Sequence, residues 1–115
     1  MDAIQLRATF PNIANDNLAE FTSLAHEAVT AVRGEPGALQ YDWFFSEDQT
    51  KCVVLEKYES SEAVLAHLAN SGALIGKLAA LAGGLELDVF GNLSLELRKA
   101  LAKPARAVYP YFVGM

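Results

Sequence analysis

Residues 36–67, PGALQYDWFFSEDQTKCVVLEKYESSEAVLAH, read as strand, tight turn, strand and helix, and they hold the only Trp, the only Cys and one of the two His of the chain. Leu39 to Phe45 is dense in aromatics, with apolar residues on both faces. Ser46-Glu47-Asp48-Gln49 is polar throughout and makes the hairpin loop. Lys51 to Tyr58 alternates, with Val53 and Leu55 on one face and Cys52, Val54, Glu56 and Tyr58 on the other. Ser60 or Ser61 caps the following helix, which runs from Glu62 to about Asn70.

Upstream, Ala3 to Phe10 places Ile4, Leu6, Ala8 and Phe10 on one face and Gln5, Arg7 and Thr9 on the other, the pattern of a half-buried strand. Pro11 and Asn12 end it, and Asn15 or Asp16 caps a helix whose stripe is Leu18, Phe21, Ala25, Val29 and Val32. Gly34, Pro36 and Gly37 stop that helix. Downstream, Gly72 is expected to break the second helix, leaving a separate piece from Ala73 to Ala82 that Gly83-Gly84 ends. Leu85, Leu87 and Val89 alternate with Glu86, Asp88 and Phe90 as a fourth strand. Ser94 caps a short helix through Leu101, with Glu96 early and Arg98 and Lys99 late, matching the helix dipole. Ala107 to Val113 is a last extended piece; Pro110 inside it removes a donor and makes it an edge strand or an arm.

The order β-α-β-β-α-β gives an α+β fold of the ferredoxin-like split βαβ plan, an antiparallel four-stranded sheet with both helices on one face. Residues 1–115 are read as one domain, with a core of about 3–93 and a C-terminal helix and edge strand or arm over 94–115. The other sheet face has no cover within the chain. A second copy packed on it, giving a dimeric α+β barrel, accounts for the large side chains on both faces of strands 2 and 3 and for a hydrophobic content of 52%.

A net charge of −5 with no basic cluster argues against nucleic acid, which requires phosphate-neutralising Lys and Arg on one face. No signal peptide is visible at MDAIQLRATF. The most apolar window, Ala73 to Leu85, falls short of the roughly 20 residues a bilayer span needs, so no membrane partner and a cytoplasmic location are expected. The single Cys excludes an internal disulfide framework, and Cys52 reads as a small core residue. His26 and His67 are too isolated to argue a metal site.

Glu56 stands in a strand that is buried on one face, where a lone carboxylate is expensive. It needs a cation, a hydrogen-bond network or water, and Arg7 on the first strand is the nearest plausible partner. A structural ion pair and a general base are both open readings for Glu56. His67 reads equally as a satisfied histidine at the helix–sheet junction or as a substrate contact. Trp43 with Phe44 and Phe45 reads as core and dimer interface, or as a ligand wall.

The pattern E-x-Y-(x)7-A-H formed by Glu56, Tyr58, Ala66 and His67, after the Gly37 strand with Tyr41, resembles the antibiotic biosynthesis monooxygenase (ABM) family over residues 3 to 90. The resemblance implies a dimeric α+β barrel. It also implies an oxygenase that uses no metal, flavin or other cofactor and acts on a small aromatic quinol or phenol with dioxygen. On that reading the catalytic residues are Tyr58, His67 and Glu56, and the substrate-binding residues are Tyr41, Trp43, Phe45 and Arg7. A non-catalytic dimeric ligand-binding domain of the same fold is the alternative. Haem binding or degradation is a third, disfavoured because the first strand lacks an Asn and Tyr58 stands where haem-degrading members place a Trp.

Overall fold

The computed structural model describes residues 2–115. Five strands, β1 (Ile4–Phe10), β2 (Ala38–Phe45), β3 (Cys52–Tyr58), β4 (Glu86–Phe90) and β5 (Ala105–Tyr109), form one sheet in the order β2-β3-β1-β4-β5. The first four pair antiparallel, as the split βαβ plan requires. β5 pairs with β4 in parallel, so the sheet is mixed and has five strands where four antiparallel strands were expected. The cause is the short helix α3 (Leu95–Ala100): it carries the chain back along the sheet, and a parallel neighbour needs such a crossover. The C-terminal piece is thus an edge strand, ending before Pro110.

Helices α1 (Leu18–Arg33) and α2 (Ser61–Leu81) cover one sheet face. On β1, Ile4, Leu6, Ala8 and Phe10 point at the helices, and their partners Tyr58, Glu56, Val54 and Cys52 share that face. Phe10 and Phe21 of α1 are fully buried and meet edge to face, 5.2 Å between ring centroids. Each such side chain contributes roughly 1.5–3 kcal/mol by burial. Ser60 caps α2, its hydroxyl accepting from the Ala63 amide, and Ser94 caps α3 in the same way from Leu97. α1 has no side-chain cap: Asn15–Asn17 form a 3-10 turn ahead of it, and Asn17 donates to the Leu81 carbonyl.

Gly72 does not break α2, which is one helix of 21 residues. A glycine in a helix interior costs only about 1 kcal/mol against alanine, and here the buried residues Val64, His67, Ser71 and Leu78 hold both halves on one sheet. As a continuous helix it is long and apolar enough to cross a membrane by length and composition, which the two shorter pieces expected from the sequence were not. In this fold it lies along the sheet. Gly83, with a φ of +71°, then makes the left-handed turn that ends it.

The outer face carries Arg7, Leu55, Phe44, Asp88 and Phe90. Asp88 accepts from Arg7 Nη2 at 3.0 Å and from Arg106 Nε and Nη2 at 3.1 and 2.6 Å, which ties β1, β4 and β5 together. Arg7 is therefore not the partner of Glu56. It is registered opposite Leu55 and Asp88, one residue out of phase with Glu56, and a one-residue offset puts a side chain on the other face.

Candidate active site

Between the sheet and α2 lies a cavity of about 160 Å³. Leu6, Ala8 and Phe10 of β1, Val54 of β3, Leu87 of β4 and Ile75 of α2 supply apolar walls, and Leu101 and Pro104 close one end. Gly72 lines it as well, with open space where a Cβ would stand. Three polar side chains reach the lining: Tyr41, Glu56 and His67.

The strand register explains their meeting. Tyr41 of β2 is paired with Glu56 of β3, and Glu56 with Leu6 of β1, so all three share the helix-facing side. His67 lies nearly two turns into α2, on its buried face. Its ring is 5.0 Å from that of Tyr58 and 5.6 Å from that of Tyr41. The Tyr58 hydroxyl donates to Glu56 Oε1 at 2.7 Å, and His67 Nε2 stands 3.6 Å from the same oxygen. On its other side, His67 Nδ1 is 2.9 Å from Glu35 Oε1. Glu35 Oε2 accepts from Asn70 Nδ2 at 2.8 Å and from the Ser71 hydroxyl at 3.0 Å.

Gly37 makes this approach feasible. A Cβ there would fall 2.5 Å from that of Ala63, so only glycine lets the chain entering β2 press onto the first turn of α2. Glu35, two residues earlier, is thereby held against His67.

Burial without a cation pushes the Glu56 carboxyl up to about 7; the Tyr58 hydrogen bond opposes this and the nearby Glu35 adds to it. Burial also lowers the proton affinity of His67, a trend that the Glu35 charge and hydrogen bond offset only in part. The phenols of Tyr41 and Tyr58 are raised by burial and by Glu56, so both remain donors. The Tyr41 hydroxyl is buried with no partner among the described residues, an unmet hydrogen bond in the wall of an apolar cavity. Near neutral pH the cavity wall thus carries a phenol that remains a donor and a carboxyl able to gain or lose a proton.

The residues singled out in the sequence thus separate into three places. Tyr41, Glu56 and His67 line the cavity, and Tyr58 sits behind Glu56. Trp43 and Phe45 line a different cleft with Thr22, His26 and Cys52, although Trp43 stacks on Phe10 and so supports the cavity wall. Arg7 is on the outer sheet face. Glu35, Asn70 and Ser71 gave no sequence signal. Glu35 falls in a helix-ending GEPG stretch, where a carboxylate looks like a solvated loop residue.

A porphyrin does not fit this arrangement. Both ring nitrogens of His67 face carboxylates, and the cavity is far smaller than a tetrapyrrole. Among the described residues no group of His, Cys, Asp and Glu is arranged to hold a metal ion.

A ferredoxin-like α+β domain with a cluster of ionisable side chains facing a partly open apolar cavity is the class that the fold and site define. The chain belongs to the antibiotic biosynthesis monooxygenase family, whose model matches residues 6–75. Among solved structures, MupZ from Pseudomonas fluorescens is 23% identical with a TM-score of 0.79, covering 100% of this chain and 90% of that one. PA3566 from Pseudomonas aeruginosa is 21% identical with a TM-score of 0.66, covering 82% of this chain and 97% of that one. Rv0793 from Mycobacterium tuberculosis is 23% identical with a TM-score of 0.65, covering 80% and 96%. At these identities the likeness is one of fold. A search of curated proteins gives no match.

Proposed function

We propose that this protein is a monooxygenase that needs no cofactor and acts on a small, neutral hydroquinone or phenol. The observation that carries the reading is that Glu56, His67 and Tyr41, whose buried hydroxyl has no partner among the described residues, line one apolar cavity. A void near 150 Å³ holds one benzene-sized ring, so about 160 Å³ suits a single substituted ring. The Tyr41 hydroxyl donates to one ring oxygen. Glu56, when ionised, takes the proton from the other, and a carboxyl titrating at about 7 is matched to that task at neutral pH.

Proton removal makes the ring electron-rich enough to reduce dioxygen. One oxygen atom then forms a new C–O bond on the ring and the other leaves as water. The electrons come from the substrate, since a hydroquinone and dioxygen balance to a hydroxyquinone and water. Tyr58 acts through Glu56, holding its Oε1 in place. Trp43 and Phe45 serve as backing for the wall, and Arg7 as a tie of the outer face.

The same cluster would serve a proton transfer without dioxygen, and this second reading rests on the fact that every polar group at the cavity is an acid or a base. Oxygen uptake with substituted benzohydroquinones and naphthohydroquinones, compared between wild type and Glu56→Gln, separates the two. The monooxygenase reading expects uptake above buffer that the variant loses. Conversion that proceeds equally without oxygen would replace it with the second reading.

We also assign the outer face to a second copy of the chain. Phe44 of β2 and Leu55 of β3 are exposed there as diagonal neighbours across the Phe44–Val53 and Asp42–Leu55 pairs, which supports a two-fold pairing of sheets into a barrel. Light scattering at micromolar concentration tests this: a dimer is expected, and a stable monomer would end it.

A further inference from the structure

Glu35 touches the cluster from the side away from the cavity, and the acid–base chemistry described above does not use it. Its side chain is 8% exposed, and it borders an outer cleft with Arg33, Gln40 and Asp42. Both of its oxygens are occupied: Oε2 accepts from Asn70 and Ser71, and His67 Nδ1 lies 2.9 Å from Oε1 and 3.3 Å from Oε2. A carboxylate only accepts, so the nitrogen it faces must be the protonated one. That leaves the other ring nitrogen, Nε2, with its lone pair toward Glu56.

We propose that Glu35 is a positioning residue that fixes His67 with Nδ1–H toward itself, so that the Nε2 lone pair is turned to Glu56 Oε1, 3.6 Å away, and takes the Glu56 proton when the two close to hydrogen-bond distance. The step is a simple transfer. The O–H bond of Glu56 breaks, the Nε2 lone pair forms a new N–H bond, and the imidazolium lies between Glu35 and the regenerated Glu56 carboxylate. No electrons leave the pair. Glu56 is then ready to take the next proton from a bound molecule, which is where this inference rests on the reading of the cavity given above.

The groups facing His67 are few. They are Glu56 and Tyr58 from β3, Tyr41 from β2, Glu35 from the α1–β2 connection, and Asn70 and Ser71, which hold Glu35 from α2 itself. Removing the Glu35 charge must therefore act on both members of the pair. The imidazolium loses a stabilising anion, and the Glu56 carboxylate loses a repelling one.

The test uses the full chain with 15N-labelled imidazoles and 13C-labelled carboxylates. With only two His present, long-range 1H–15N spectra resolve the His67 tautomer. The wild type is expected as the Nδ1–H tautomer. In Glu35→Gln the proton affinity of His67 falls about 10- to 1000-fold and that of Glu56 falls as well. Mere loosening of the packing would move the two in opposite directions, because admitting water lowers the proton affinity of Glu56 and raises that of His67. An Nε2–H tautomer in the wild type, or a His67 affinity that rises or stays fixed in the variant, would overturn the proposal. If Glu35→Gln does not fold, the wild-type tautomer and Ser71→Ala decide it, the latter being expected to admit some of the Nε2–H form. Absence of oxygen uptake with the predicted tautomer and shifts in place would count against the monooxygenase reading alone.

Discussion

Glu56 and Asp88 carry the same functional group on opposite faces of one sheet, and their surroundings drive them in opposite directions. Both are covered, at 6% and 1% exposed. Asp88 is shielded by two guanidinium groups that hold its carboxyl below the usual carboxylate range. Glu56 has no cation, only a phenol and an imidazole, and burial pushes it up to about 7. Covering a carboxylate does not decide its chemistry; what covers it does. A structural tie keeps its charge at every working pH, whereas a proton acceptor has to be able to lose it.

The comparison breaks most visibly at Glu56. Glu56→Gln retains the shape and the Tyr58 hydrogen bond but cannot accept a proton, so turnover of a hydroquinone should fall by about 10²- to 10⁴-fold. Oxygen uptake at saturating substrate measures this. Asp88→Asn, on the other face, should leave uptake unchanged and lower the melting temperature by loosening β5.

His67→Ala comes next. It removes one of the three donors that hold the buried Glu35 carboxylate and should destabilise the fold by about 1–3 kcal/mol, the cost of losing one partner of a buried acceptor. Urea denaturation at pH 7 reads it.

The pH dependence of stability separates the two carboxylates by sign. Folded Glu56 keeps, up to about pH 7, a proton that the unfolded chain loses near 4.5, so its contribution is full below 4.5 and is lost as pH rises to 7. The loss is about 3 kcal/mol for this group. His67 opposes it, because its lowered proton affinity removes stability as pH falls below 6.5. Subtracting the Glu56→Gln profile from wild type isolates the Glu56 part, and the variant should be the more stable protein at pH 8. The Asp88 contribution runs the other way: present above 3.8, it is lost on further acidification.

The smallest effect is at Gly72. Alanine there meets no atom within 4 Å and should stabilise α2 by about 1 kcal/mol. The same methyl enters the cavity and should weaken binding of a ring-sized ligand, which calorimetry with phenol would show.

The fold was largely legible in the sequence because its two periods are clean. Alternation groups Leu6 with Ile4, Ala8 and Phe10 on one face of β1, and Glu56 with Cys52, Val54 and Tyr58 on one face of β3, and the α1 stripe does the same for Phe21 and Val32. Local rules misled where tertiary packing outweighed them. Gly72 is a weak breaker inside a helix anchored on both sides, and the parallel placement of β5 depends on a crossover whose direction no local pattern encodes. The site was legible in part for a related reason. Tyr41, Glu56 and His67 are in periodic elements whose faces can be read, whereas Glu35 reaches His67 across 32 residues from an irregular connection. Pairing Arg7 with Glu56 failed because neighbouring strands bring together residues of one register, and these two are one residue apart.

The most direct test of the central claim is a 13C titration of the Glu56 carboxyl in the wild-type protein. An inflection near pH 7, displaced when a ring-sized phenol is bound, is the predicted result. An inflection near 4.5, insensitive to the phenol, would mean that Glu56 is an ordinary ionised carboxylate and that the cavity wall holds no base tuned to neutral pH.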